Sequence, residues 1–257
     1  MWLRIFKPLI FSLLITALFQ AGIFCLGGYF SFNYSLLLLI IFLILVLGIL
    51  LTYRSCAVDR QCRLRTRFIV FAIPPLFLFV GLSGFLFFNT DFYLREIFLI
   101  LSAAAYFVIF SEIFSPLRNP LHDGVKFLTI FLLYNSILEL VRYYQLSIYL
   151  IFPLVLLVTL LCLHHMFWRL KALKLFYSLI SLGAGTILGL FALISAWFWP
   201  IASYFTLTIM VVALYYIAWG ILHHHIDLYL TKKIVLDYVL IGAFVFIMAL
   251  GLTFLTR

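Results

Sequence analysis

The chain is predicted to fold as an all-α, polytopic transmembrane bundle of about nine spans, and three observations carry that expectation. It is 67% hydrophobic and only 10% charged, with a mean hydropathy of +1.28, whereas a soluble domain carries roughly 25% charged residues. Its apolar residues run in continuous stretches of about 20, the length a helix needs to cross a hydrocarbon core about 30 Å thick. Its basic residues fall in alternate gaps between those stretches, as they do in threaded membrane proteins. Continuous rather than alternating apolar runs argue for helices and against a barrel. The 257 residues then make a single integral membrane domain with no separate domain outside the bilayer.

In order, the spans are expected at 9–27, 34–53, 68–88, 97–117, 127–145, 147–167, 175–199, 201–222 and 234–255. With the N-terminus inside, the cytoplasmic segments hold Arg4 and Lys7, then Arg54, Arg60, Arg63, Arg65 and Arg67. They also hold Arg118 and Lys126, then Arg169, Lys171 and Lys174, and last Lys232 and Lys233. The opposite side holds Arg95, Arg142 and Arg257. This split of 14 to 3 predicts an N-in, C-out protein of a cytoplasmic (inner) membrane. The fifth span is the weakest, since Glu139 and Arg142 interrupt it. Without it the split falls to 11 to 6, so nine spans are preferred to eight.

The first span reads as a retained anchor, because Ala17-Leu18-Phe19-Gln20-Ala21 is not a small-x-small cleavage site. The net charge of +9 is explained by threading and calls for no nucleic-acid partner; the lipid bilayer is the partner expected. Cys25 and Cys162 lie within spans as small packing residues. Cys56 and Cys62 share an Arg-rich loop expected on the reducing side, with no further ligands to complete a zinc site. In span three, Pro74-Pro75 removes two helix hydrogen bonds, which predicts a kink or a break; a broken helix is one way that transporters line a substrate site. In span seven, Ser178, Ser181, Gly185 and Gly189 form a stripe of small residues suited to close helix packing, inside the bundle or in a homo-oligomer or with another membrane protein. Trp2 and Trp168 fall at the expected inner interface, and Trp197 and Trp199 at the outer one.

Two groups of polar residues are candidates for chemistry. The first is the inner-face cluster. His164 and His165 end span six, and His223, His224 and His225 end span eight. His122, Asp123, Glu112, Asp227 and Asp237 are expected on the same side. One or two imidazoles of span eight, one of span six and a carboxylate, Asp227 or Asp237, can hold a metal, with His164, His223 and Asp227 as the candidate set; His223 and Asp227, four residues apart, share a face. Three adjacent histidines step by about 100° each and cannot share one pocket. The alternative is that these rings cap helix C-termini, where they meet the negative end of the dipole. The second group is Asn135, Glu139 and Arg142, which share one face of span five. They form either an ion pair that holds structure or a ligand or proton site.

Other motifs fail on chemistry. Gly81-Leu82-Ser83-Gly84 resembles the GxSG string of rhomboid proteases, yet Ser83 lies toward the outer end and every histidine toward the inner, so no base can reach it. There is no HExxH, no spaced histidine box, no mid-span lysine and no phosphate-binding loop. No cofactor is specified.

The stretch from Tyr216 to Tyr238 carries Trp219-Gly220, His223 to His225, Leu230-Thr231 and Asp237-Tyr238. It resembles a recurring signature of uncharacterised bacterial multi-pass membrane proteins, in which the acidic residue is usually Glu. The resemblance covers under a tenth of the chain and implies no activity. Three functional classes follow. A small-solute transporter or channel using the Asn135 face is favoured. An enzyme acting on a lipid or lipid-linked substrate through the His/Asp cluster, and a non-catalytic assembly or structural protein, are the alternatives.

Overall fold

The computed structural model describes residues 2–27, 33–58, 68–112, 120–169, 175–198, 203–226 and 229–255, with side chains over 6–27, 33–51, 72–111, 124–167, 176–198, 203–226 and 229–251. Among the described residues there is no strand, and the helices are α1 (Trp2–Leu26), α2 (Tyr34–Val58), α3 (Phe68–Phe88), α4 (Phe92–Glu112), α5 (Pro120–Tyr143), α6 (Ile151–Arg169), α7 (Leu175–Phe198), α8 (Tyr204–Ile226) and α9 (Lys232–Leu255). A short 3-10 turn, Ile148–Leu150, leads into α6. The chain is an all-α polytopic membrane protein. Eight helices are long and apolar enough to cross a bilayer, and α3 adds an apolar stretch at Ala72–Phe88.

Helix ends are set by polar residues that hydropathy does not weigh. The fourth helix begins at Phe92, five residues before the expected 97, because Asp91 caps it. The Asp91 carboxylate accepts the Leu94 N–H at 3.2 Å, and the Asn89 side chain accepts the Asp91 N–H at 3.0 Å. Asn33, Ser203 and Thr231 do the same for α2, α8 and α9, accepting the N–H groups of Ser35, Thr206 and Ile234. Each satisfies a donor that a first helical turn leaves open. The fifth helix starts at Pro120, a residue preorganised for the first helical position.

At the other end of α5 the chain reverses through a left-handed residue. Gln145 has φ 49°, the Leu146 N–H donates to the Val141 carbonyl at 2.9 Å, and the Gln145 N–H donates to the Arg142 carbonyl at 3.1 Å. This pair of bonds is the Schellman closure, usually built on glycine.

The prolines of α3 do not break it. The helix continues through Pro74 and Pro75 to Phe88, so the broken-helix form of the span-three expectation is corrected to a continuous helix. Two lost intrahelical bonds are tolerated where the neighbouring turns stay packed.

The chain divides into two compact units, residues 1–133 and 134–257, with the boundary inside α5. In the first, α1 packs against α2 and α4, and α3 against α2 and α4. Its core includes Phe19 of α1, Ile41 and Leu45 of α2, and Leu82 and Phe85 of α3. Phe98 of α4 stacks on Phe131 of α5 with centroids 5.2 Å apart. Gly81 lets α3 meet α5: a Cβ there would lie 3.0 Å from the Leu133 nitrogen. In the second unit α6 pairs with α7 and α8 with α9. A Cβ at Gly185 or Gly189 would come within 3.3 or 2.9 Å of the carbonyl oxygens of Leu156 and Phe152. These two glycines of the span-seven stripe therefore serve contact between α6 and α7 inside the chain.

Candidate functional site

Asn135, Glu139 and Arg142 lie on α5, and Asn135 and Arg142 meet side chains of α8. Asn135 is 3% exposed. Its side-chain N–H donates to Thr208 Oγ1 at 3.4 Å, the outer limit for such a bond. Thr208 in turn donates to the Tyr204 carbonyl at 2.7 Å. About two turns further along α5, Arg142 Cζ lies 5.7 Å from the centre of the Tyr204 ring, within cation–π range. The Arg142 guanidinium is also 3.9 Å from the Glu139 carboxylate, with side-chain exposures of 64% and 22%. Residues 135 and 142 of α5 thus meet residues 208 and 204 of α8, in antiparallel order.

Beside this face lies a tighter contact that inspection of the sequence misses. Tyr134 is fully buried, and its hydroxyl lies 2.7 Å from Thr159 Oγ1 on α6. Thr159 gives its own proton to the Val155 carbonyl at 2.7 Å, so Tyr134 is the donor. The Tyr134 ring meets Tyr215 of α8 edge-on at 6.5 Å. In a chain with 15 tyrosines, nothing marks this one out before its partners are known. The 3.4 Å bond at Asn135 and the 3.9 Å ion pair at Glu139 differ chemically from the short bond at Tyr134. The short bond is a satisfied crosslink, while the two looser contacts leave polar groups able to bond more closely to another partner.

The histidines divide instead of converging. His223 stacks on Trp219 of its own helix, centroids 5.0 Å apart and rings 14° from parallel. His224 turns to α9, where its Nε2 is 3.3 Å from the Tyr238 hydroxyl. His225 is exposed and faces the Tyr177 ring of α7 at 6.5 Å. The 100° step per residue sends the three rings to three different aromatic partners. On α6, His164 is exposed and His165 half-buried. Asp237 is exposed, and Asp227 lies outside the described residues, as do the side chains of Glu112, His122 and Asp123. Among the described residues no three of His, Cys, Asp and Glu gather where they could hold a metal ion.

Several residues of the stretch from Tyr216 to Tyr238 serve packing or helix ends. The Tyr238 ring lies directly on Gly220 and 4.9 Å from the Tyr216 ring. Thr231 caps α9, and the His224 carbonyl accepts the Tyr229 N–H at 3.1 Å as α8 ends. Ser83 is equally accounted for, since its hydroxyl donates to the Phe79 carbonyl of its own helix at 2.7 Å.

No known protein family, curated protein or solved structure matches the chain. The class that fold and composition define is a multi-pass helical membrane protein.

Proposed function

We propose that the protein is a transporter or channel for a small polar solute in a cytoplasmic membrane, with Asn135, Glu139 and Arg142 as its binding face. The observation that carries this reading is Glu139: a carboxylate in a membrane span, 22% exposed and, among the described residues, paired loosely with Arg142 at 3.9 Å. Ionisable groups in spans are costly and are kept where they meet protein, water or a substrate. A carboxylate, a guanidinium and a carboxamide on one helical face offer both donors and acceptors to a solute. The lipid-enzyme reading draws less support, because His223, His224 and His225 are each engaged with a different ring.

The test is flux into liposomes containing the purified protein. Light scattering reports entry of glycerol or glycine, and an enclosed pH dye reports protons. At least one should enter faster than into empty liposomes, and Glu139→Gln should slow it about tenfold or more, the loss of one charge-assisted bond. Traces equal to those of empty liposomes for all three would sink the reading.

A further inference from the structure

Ser102 and Tyr106 lie one turn apart on one face of α4, in the first unit, and are 0% and 1% exposed. Both hydroxyls are buried, and neither has a hydrogen-bond partner among the described residues. Serine and threonine in a helix can give their proton to the carbonyl four residues back. Thr16, Ser83 and Thr129 do so here, at 2.7, 2.7 and 2.8 Å. Ser102 does not.

The pair falls between two packed sides of α4. On one side the Ala103 carbonyl accepts the Ser12 hydroxyl of α1 at 2.6 Å. On the other the Phe98 ring meets Phe85 of α3, with centroids 4.5 Å apart. With about 100° between successive residues, Ser102 and Tyr106 lie between these sides. Ser12 is itself 3% exposed and keeps its lone pairs to accept a bond. Ser102 follows Phe92, the first residue of α4, by ten positions. That is about 15 Å of helix rise, the middle of a hydrocarbon core about 30 Å thick. A hydroxyl left unsatisfied at this depth is costly. Leu99, Ala105 and Ile109, buried beside the pair on α4, are apolar and offer nothing to a charged guest. Water suits two hydroxyls that can each donate or accept, and a buried water bonds about three otherwise unsatisfied groups.

We propose that Ser102 and Tyr106 together hold bound water at mid-membrane in the first unit, with Ser12 as a further acceptor. The site uses none of the residues of the α5 face, so solute flux does not decide it. The experiment is hydroxyl-radical footprinting of the full chain in a neutral detergent by X-ray radiolysis, read residue by residue by mass spectrometry. Radicals formed from bound water label the side chains that touch it. Tyr134 is the internal control, fully buried like Tyr106 but satisfied by Thr159, and Tyr93, 79% exposed, sets the upper rate. Tyr106 should label at a rate nearer to that of Tyr93 than to that of Tyr134. Thermal unfolding is the second readout. Tyr106→Phe and Ser102→Ala should each lower the midpoint by about 2–4 °C, the worth of one ordinary hydrogen bond in a chain of this size. The double variant should lose less than the sum, because the two hydroxyls share a guest. Hydroxyls without a guest give the opposite sign, since deleting an unsatisfied buried group relieves its cost. Labelling of Tyr106 as slow as that of Tyr134 overturns the proposal, as does a raised midpoint or an additive double variant. Should a variant not fold, the labelling of the wild-type chain decides.

Discussion

The hydroxyl of Tyr134 lies 2.7 Å from Oγ1 of Thr159, both side chains fully buried, and this bond ties α5 to α6. Thr159 already donates to Val155, so the bond has one direction, and removing either partner removes it. Tyr134→Phe and Thr159→Val should each lower unfolding stability in detergent by about 1 kcal/mol, the usual worth of such a bond. The double variant should lose less than the sum. A double-mutant cycle with no coupling would show that the bond contributes nothing.

The Glu139–Arg142 pair should behave differently. Its 3.9 Å separation and 64% exposed arginine place it among surface pairs, whose coupling is about 0.5 kcal/mol or less. Glu139→Gln and Arg142→Gln should leave the unfolding midpoint nearly unchanged and act on solute flux instead. A large stability loss without a change in flux would return the pair to a structural role.

Gln145 occupies a left-handed position that glycine adopts without strain. Gln145→Gly should stabilise the protein by about 0.5–1 kcal/mol, part of the roughly 1–2 kcal/mol that an L side chain costs there. Gln145→Val should do the reverse. The midpoints of the two variants are the measurement, and the same order for both would contradict the Schellman closure.

At the α8–α9 contact, the Tyr238 ring occupies the space that a Cβ at Gly220 would need. Gly220→Ala should destabilise by about 1–3 kcal/mol through overpacking. Adding Tyr238→Ala should recover part of the loss. Failure of the second change to compensate for any of the first would mean that the two residues do not compete for this space.

Threading gives a prediction independent of packing. The 14 to 3 distribution of Lys and Arg predicts that a phosphatase fused after Arg257 is active on the non-cytoplasmic side and that a fluorescent protein fused there is dark. The opposite pattern would reverse the assigned side of both polar groups.

Much of the molecule was legible in the sequence because a bilayer imposes one rule along the chain: apolar residues must persist for the length of a span, with every backbone group bonded within the helix. That rule located α3, α7 and α9 to within two residues, and helical spacing places Asn135, Glu139 and Arg142 on one face of α5. The rule misplaced the start of α4, because Asn89 and Asp91 act through two hydrogen bonds and not through hydropathy.

What only the tertiary structure decided is which face meets which neighbour. Tyr134 with Thr159, Asn135 with Thr208, Arg142 with Tyr204 and His224 with Tyr238 join residues from 14 to 73 positions apart. The three adjacent histidines look like one cluster in sequence and point to three different rings in space. Helical periodicity fixes the angle between successive side chains but says nothing of what stands opposite them. Within the bundle, partner choice depends on the close packing of side chains and small residues between helices, and that is a property of the assembled chain.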